Sequence, residues 1–348
     1  MAPPALTGQF VMLQDFRILH LLQNSLPASP AEESLGRPRE AALSGKAPGR
    51  TQQSEPESTW WSKDTIAVVT GSNKGLGFGI AQGLALKGVM TVLTARDEQR
   101  GLAALNSLKQ DQRINPATLQ FHVLDVRSPS SIQNFAKWIE NKFGGLDILV
   151  NNAGISRNEH LGNPTVEGSK DVISTNFYGT RMALRNQTVV QKVSKLSMET
   201  LDEVVGEFIE DVEHGRLIVK GWTGIFGAYD YCLSKLLLNA YSRVLARDLS
   251  KQGGKFFVNC MCPGLTSTDM SRNNGHSAQI GADTVIWLAL LPASKSTTGR
   301  FFSNRQDVGF DHIPLYLEKG TSSKLLDEFD ECIRTSMPPL HPVFLKMY

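Results

Sequence analysis

The stretch Thr65–Gly79 reads TIAVVTGSNKGLGFG, and the rest of the chain is arranged around it. Ile66-Ala67-Val68-Val69 is a short, uninterrupted apolar run with β-branched residues, the pattern of a strand buried on both faces of a parallel sheet. Gly71, Gly75 and Gly77 follow at TGxxxGxG spacing. In such a turn one glycine permits the tight reversal, one lets the backbone approach a phosphate, and one lets the next helix pack close to the strand. The helix that follows presents free N–H groups and a positive dipole end to an anion. A glycine-rich turn alone would also suit a plain structural loop, so the decision rests on what lies downstream.

Downstream, apolar runs alternate with amphipathic ones. Ile80–Lys87 completes the helix that follows the glycine turn, ended by Gly88, and Met90–Thr94 reads as a second strand. Asp97 is placed to cap a helix running to about Gln110. Leu119–Asp125 is a third strand, Ser128–Phe143 a helix, and Leu146–Val150 a fourth strand that runs into Asn151-Asn152-Ala153-Gly154. Helices follow at Ser169–Arg185, Ser197–Val212 and Tyr231–Leu249, then a strand at Lys255–Cys262 broken by Pro263-Gly264. Ala278–Leu290 reads as a helix, Gly299–Phe302 as a last short strand, and Ser322–Arg334 as a final helix. This alternation predicts an α/β protein with a doubly wound parallel sheet, the Rossmann fold.

Composition narrows the partners. The 36 basic and 34 acidic residues leave a net charge of +2 spread along the chain, which favours neither nucleic acid nor a membrane surface. No run of about 18 apolar residues is present, so no spanning helix is expected. Cys232, Cys260, Cys262 and Cys332 have no CxxC spacing and read as reduced thiols of a cytoplasmic protein, with no metal site.

Residues 1–58 differ from the rest. They hold seven of the 16 prolines, and such a segment is expected to stay disordered outside the core. Within it, Phe10–Leu22 reads as a short apolar helix, and removal of the whole head is expected to leave the domain unchanged. A secretory signal is not expected, because no basic stretch precedes the apolar run. Glu32, Glu33 and Glu40 speak against a plastid transit peptide. The organisation expected is a head over 1–58, a reductase-like domain over 59–310 and a tail over 311–348.

Five phrases stand in order over 200 residues: Thr70-Gly71-Ser72-Asn73-Lys74-Gly75-Leu76-Gly77, Asn151-Asn152-Ala153-Gly154, Asn176, Tyr231-Cys-Leu-Ser-Lys235 and Pro263-Gly264. Together they resemble the classical short-chain dehydrogenase/reductase family, in particular the plant monomeric carbonyl-reductase-like branch that includes neomenthol dehydrogenase, isopiperitenone reductase and salutaridine reductase. The Trp60-Trp61 start, NFYGT at Asn176–Thr180, NAYSRVLAR at Asn239–Arg247 and the extra helix before Tyr231 carry that likeness. The resemblance implies a monomer that reduces a small ketone or aldehyde, such as a monoterpenoid, with NADPH. It also implies that Tyr231 donates a proton to the carbonyl oxygen while Asn176 holds a water in a relay through Lys235. Free tyrosine has a pKa of about 10, and a cation one helical turn away favours its phenolate. Lys235 lies four residues after Tyr231, whereas Tyr229 has Leu233 at that spacing. By the same resemblance Gly71, Asn73, Lys74, Gly75, Leu76 and Gly77 hold the cofactor's phosphates. Asp125 and Val126 border its adenine, Asn152, Ala153 and Gly154 line it, and Pro263, Gly264 and Thr268 close over it. NAD sites usually carry an acidic residue just after the second strand. Here Thr94-Ala95-Arg96 stands there with Lys74 opposite, and two cations suit the 2′-phosphate of NADPH.

One part of the family pattern is missing. The chain passes from Asn176 through Arg185-Asn186-Gln187 to the helix at Ser197 without the fifth strand and the serine that ends it. The fold is therefore expected to lack that strand or to replace it. A continued or frayed helix is the reading preferred for Thr188–Ser194; the alternative is a replacing strand, with Ser194 near the serine's place. Three readings stay open: a working NADPH-dependent reductase, a catalytically weak or dead NADPH-binding isoform, and an unstable truncated isoform with no function of its own.

Overall fold

The computed structural model describes residues 7–13, 59–157, 164–185, 195–220, 222, 228–251 and 255–308. Strand β1 spans Thr7–Leu13, and β2 spans Ile66–Val69. Helix α1 (Gly75–Leu86), β3 (Met90–Ala95), α2 (Glu98–Lys109), β4 (Leu119–Val123), α3 (Pro129–Phe143) and β5 (Ile148–Asn151) then alternate as the sequence implies. Next come α4 (Val166–Ile173), one wider π turn (Ser174–Tyr178) and α5 (Gly179–Arg185). Helices α6 (Lys195–Glu213) and α7 (Tyr229–Lys251) precede β6 (Lys255–Cys262), α8 (Ala278–Ala289), β7 (Phe301–Ser303) and β8 (Gln306–Asp307).

The strands form one sheet in the order β4-β3-β2-β5-β1-β6-β7-β8, parallel except for the edge strand β8. The period-two geometry of strands divides the core into two layers. Ile66, Val68, Val92 and Leu149 face one side and pack with Ile132, Phe177, Leu237 and Tyr241. Ala67, Val69, Leu93, Ile148 and Val150 face the other and pack with Ile80, Leu84, Val285 and Leu288. Small residues let α1 and α8 lie close on that second side: a Cβ on Gly83 would stand 2.1 Å from Ile286 Cδ1. Local signals place the helix ends where the residue types require. Asp97 accepts a hydrogen bond from Arg100 N at 2.9 Å at the start of α2, and Ser128 accepts one from Ser131 N at 3.2 Å at the start of α3.

The fifth-strand slot is filled by a strand from the head of the chain. Strand β1 lies between β5 and β6, parallel to both. Its register runs from Gln9↔Ile148 to Met12↔Asn151 on one side, and from Thr7↔Lys255 to Leu13↔Met261 on the other. This corrects the expectation for the head: residues 7–13 belong to the sheet, and Phe10–Leu13 begins no helix. A short apolar run fits a strand or a buried helix equally well. An interior vacancy with two unpaired edges decides for the strand, because it satisfies a row of N–H and C=O groups on both sides at once. Thr188–Ser194, including Ser194, and Ser322–Arg334 lie outside the described residues. Helix α1 begins at Gly75, so the glycine turn and the helix start coincide.

Helix α6 buries Leu201, Val204, Val205 and Phe208, the face that its spacing predicts. Trp222 stacks edge-on against Phe208 at 5.1 Å between ring centroids and donates its indole N–H to Asp211 Oδ2 at 2.8 Å. Arg216 Nε donates to the other oxygen of Asp211, also at 2.8 Å. The two donors and the Arg216 charge hold the Asp211 carboxyl below its ordinary pKa, against the burial that pushes it up.

Leu237 of α7 is fully buried against the sheet. Leu237→Ala should cost about 2–5 kcal/mol of stability. Urea unfolding should record this as a lower midpoint at an unchanged slope.

Candidate active site

The cleft opens at the C-terminal ends of the strands, beside the point where the chain leaves β2 for β3 on one side and returns as β5 on the other. That is where open α/β sheets place their ligands. Its floor is the glycine turn. Gly71 and Gly75 adopt φ values of +62° and +56°, which a side chain would strain. A Cβ on Gly77 would lie 2.4 Å from Asn152 Nδ2 and 2.6 Å from the Gly71 carbonyl oxygen. Asn152 Nδ2 donates to the carbonyls of Thr70 and Gly71 at 2.8 and 3.0 Å, and Thr70 Oγ1 accepts from the N–H groups of Asn152 and Ala153, both at 2.9 Å. The turn is thus tied to the end of β5 by four hydrogen bonds. No side chain caps the first turn of α1 and no acidic residue stands in it, so its N–H groups and dipole face the cleft.

The cleft encloses about 670 Å³. Gly71, Asn73, Lys74, Gly75, Leu76 and Gly77 line it from the turn, Arg96 from the end of β3, and Asp125 and Val126 from the end of β4. Asn152, Ala153 and Gly154 line it after β5, Tyr231 and Lys235 from α7, and Pro263 and Thr268 after β6. Two expected residues do not line it. Gly264 shapes the backbone with φ of +69° beside Pro263, and Asn176 is wholly buried behind the wall. The Asn176 side chain pins three segments together. Its Nδ2 donates to Ile155 O and to Ser234 Oγ, each at 3.0 Å, and its Oδ1 accepts from Ile155 N at 2.8 Å. Both of its N–H donors are committed, and it sits in the π turn, a local widening that often marks a functional site.

Tyr231 and Lys235 stand one helical turn apart on α7, and both are buried. Lys235 Nζ lies 5.5 Å from the centre of the Tyr231 ring. Ser234, between them in sequence, donates to the Tyr231 carbonyl at 2.7 Å and receives the Asn176 bond, so the helix turn is held from behind. Around Tyr231 the surface is apolar, with Val172, Ala228, Ile155, Cys232 and Met270 packed together. In the slot of the missing fifth strand, the one hydroxyl in β1 is that of Thr7, at the end away from the cleft.

Several lining residues escaped sequence reasoning. Lys74 is paired with Asp269, whose carboxyl is held low by the Lys74 hydrogen bond first and its charge second. The partners are 195 residues apart in sequence, so no local pattern announces them. Arg127 joins Asp125 at 3.7 Å and Asp171 at 2.8 Å, and Arg157 also pairs with Asp171. The Arg157 hydrogen bond, with the charges of both arginines, holds the Asp171 carboxyl low against its partial burial. Asp97 reaches the cleft wall, but one of its oxygens caps α2 as its spacing predicts. Among the described residues no group of histidine, cysteine or acidic side chains could hold a metal, and no helix is long and apolar enough to cross a membrane.

Comparison with known proteins places this geometry. The family signature described as short chain dehydrogenase matches residues 65–279. A (+)-neomenthol dehydrogenase of Arabidopsis thaliana is 34% identical over 290 aligned positions, covering 69% of this chain and 96% of the relative. That share of the chain is fewer residues than the aligned positions, so the relative carries segments that this chain lacks. A carbonyl reductase [NADPH] 1 of Mus musculus is 33% identical over 279 positions, covering 70% of this chain and 98% of the relative. Among solved structures, the salutaridine reductase of Papaver somniferum superposes with a TM-score of 0.58 at 29% identity, over 69% of this chain and 99% of that one. With its parallel sheet, its glycine turn and these relatives, the chain belongs to the short-chain dehydrogenase/reductase family, oxidoreductases that use nicotinamide cofactors.

Proposed function

We propose that this protein is an NADPH-dependent reductase of a small, largely apolar ketone or aldehyde, reversible as an alcohol dehydrogenase. One observation carries the reading: the buried Tyr231–Lys235 pair opens into the same cleft as the glycine turn. The cleft fits a dinucleotide on its own evidence. The space at Gly77 admits no side chain, the first turn of α1 has uncapped N–H groups for a pyrophosphate, and Lys74 and Arg96 stand near where a 2′-phosphate would lie. The name of the mouse relative, a carbonyl reductase [NADPH], supports the same cofactor.

The bound nicotinamide would supply a hydride to the carbonyl carbon. Tyr231 then gives its hydroxyl proton to the carbonyl oxygen, and the phenolate left behind is stabilised by the Lys235 ammonium before a proton returns from solvent. Asn176 acts through position: it ties the loop after Gly154 to the turn of α7 that carries Tyr231. The apolar cluster of Val172, Ala228 and Met270 suits a hydrocarbon substrate better than a charged one.

A second reading draws on β1. The described part of that strand brings no serine to the cleft end, so a carbonyl oxygen receives one oriented donor fewer. Loss of one such donor commonly costs a factor of about 10²–10³ in rate. On this reading the protein binds NADPH and turns over slowly. Assigning Ser194 to the missing role would require that Ser194→Ala lower activity by a comparable factor.

Three measurements test the assignment. In fluorescence energy-transfer titrations NADPH should bind far more tightly than NADH, and equal affinities would sink the cofactor reading. Hydrogen bonds to charged groups contribute about 1.5–3 kcal/mol, so Arg96→Asp should swing the preference toward NADH by about 10–100-fold. Tyr231→Phe should lower ketone-dependent NADPH oxidation by a factor of about 10²–10⁴ while leaving NADPH binding intact; an active phenylalanine variant would remove Tyr231 from its role.

A further inference from the structure

We propose that the slot between β5 and β6 is a strand-binding site, that its ligand is this chain's own head segment Thr7–Leu13, and that its occupation is linked to cofactor binding. The link to the cofactor rests on the NADPH reading above. Three observations converge. First, β1 is held on both edges by parallel ladders, so it joins the block β4-β3-β2-β5 to the block β6-β7-β8, which share no other strand contact. Second, the segment reaches the slot from far away in sequence: residues 14–58 separate it from the domain, whereas every other strand of the sheet lies within residues 66–307. It therefore behaves as an added peptide, the β-augmentation mode placed inside a sheet instead of at its edge. Its chemistry is an extended segment with a continuous apolar run, Phe10-Val11-Met12-Leu13, as interior strands of parallel sheets commonly have.

Third, both strands that flank the slot carry the cofactor cleft at their C-terminal ends. Strand β5 passes from Asn151 directly into Asn152, Ala153 and Gly154. Strand β6 passes from Cys262 into Pro263 and the loop bearing Thr268. Thr268 faces the glycine turn, since a Cβ on Gly75 would stand 3.0 Å from Thr268 Cγ2. A dinucleotide in the cleft thus touches both halves of the sheet that β1 joins. Any ligand that favours the joined state must favour the docked strand, and the docked strand must favour that ligand by the same factor.

One mark of an added part lies at the cleft end of the slot. The Asn151 side chain, paired in register with Met12, is buried, and among the described residues neither its amide nitrogen nor its oxygen has a hydrogen-bond partner. Buried amides are ordinarily hydrogen-bonded. The head completes the backbone ladder and leaves the side-chain hydrogen bonding at its end unmet, which favours exchange of the strand over permanent docking.

The test is amide hydrogen exchange on the full chain, with and without saturating NADPH. Without cofactor, the amides of residues 8–13 should exchange about 100-fold or more slowly than an unstructured peptide. With NADPH, protection should rise at 8–13 together with 152–154. Exchange of 8–13 at unstructured rates would overturn the proposal, whatever the cofactor does. Protection gained at 152–154 and in the glycine turn but not at 8–13 would overturn the linkage while leaving the cofactor reading standing. No change anywhere on adding NADPH would remove both. Protection at 8–13 that grows with protein concentration would place the strand in a second copy's slot and overturn the assignment to its own chain. Val11→Pro gives the complementary arm, because proline removes a ladder N–H between two paired strands. The NADPH dissociation constant should rise about tenfold or more, and a synthetic Thr7–Leu13 peptide should restore it. An unchanged constant in a folded Val11→Pro variant would overturn the proposal.

Discussion

An interior slot in a parallel sheet cannot stay empty, and this constraint governs the rest of the molecule. Strands β5 and β6 each present a row of N–H and C=O groups toward the space that β1 fills. Each buried backbone group left unpaired costs about 1–3 kcal/mol. A few of them rival the whole stability of a domain, about 5–15 kcal/mol. Here the slot is filled by a segment from far away in sequence. The cost of closing a longer loop rises only logarithmically with its length, so distance along the chain is a weak obstacle. Direction is a stronger one. A parallel partner needs a crossover of a dozen or more residues, and residues 14–58 supply that length between Leu13 and the domain.

The same sheet sets the chemistry. Because its strands run parallel from β4 to β7, their C-terminal ends gather at one rim, and the turns that leave them form the cleft. Four hydrogen bonds tie the glycine turn to Asn152 and Ala153, so cofactor-facing backbone from two strands moves as one piece. Behind it, the Asn176 amide bridges Ile155 and Ser234 and carries that rigidity into α7. The Tyr231–Lys235 pair is therefore held by the wall of the cleft and by its own helix. Both side chains are buried, with Lys235 Nζ 5.5 Å from the Tyr231 ring centre.

Much of this was legible because it is local. The TGxxxGxG turn, the NNAG phrase and the four-residue spacing of Tyr231 and Lys235 each specify a geometry within a few bonds of the residues that spell it. The Asp97 and Ser128 caps and the buried face of α6 could be read for the same reason. What escaped is non-local. The Lys74–Asp269 pair joins the glycine turn to the loop after β6, and the bridge from Arg127 and Arg157 to Asp171 joins three separate segments. Side chains that meet only through the fold leave no spacing in the sequence. The head strand escaped for a different reason. Its apolar run carries no period that separates strand from helix, and the deciding evidence is a vacancy elsewhere in the chain.

The replacement strand also explains how fold and chemistry can part company in one molecule. A sheet reads backbone: almost any extended apolar segment of the right direction satisfies a slot's ladder. A reacting carbonyl reads one side chain at one position. Strand β1 meets the first demand, with partners on both edges over Gln9–Met12, while Thr7, its one residue of hydroxyl type, stands in register with Lys255 at the start of β6. Filling the slot thus protects the parts of the site that depend on sheet integrity, the glycine turn and the Asn152–Gly154 wall. It gives no such protection to the part that depended on the identity of the lost strand. A slot filled for its backbone ladder thus secures the sheet without fixing which residue type stands at its cleft end.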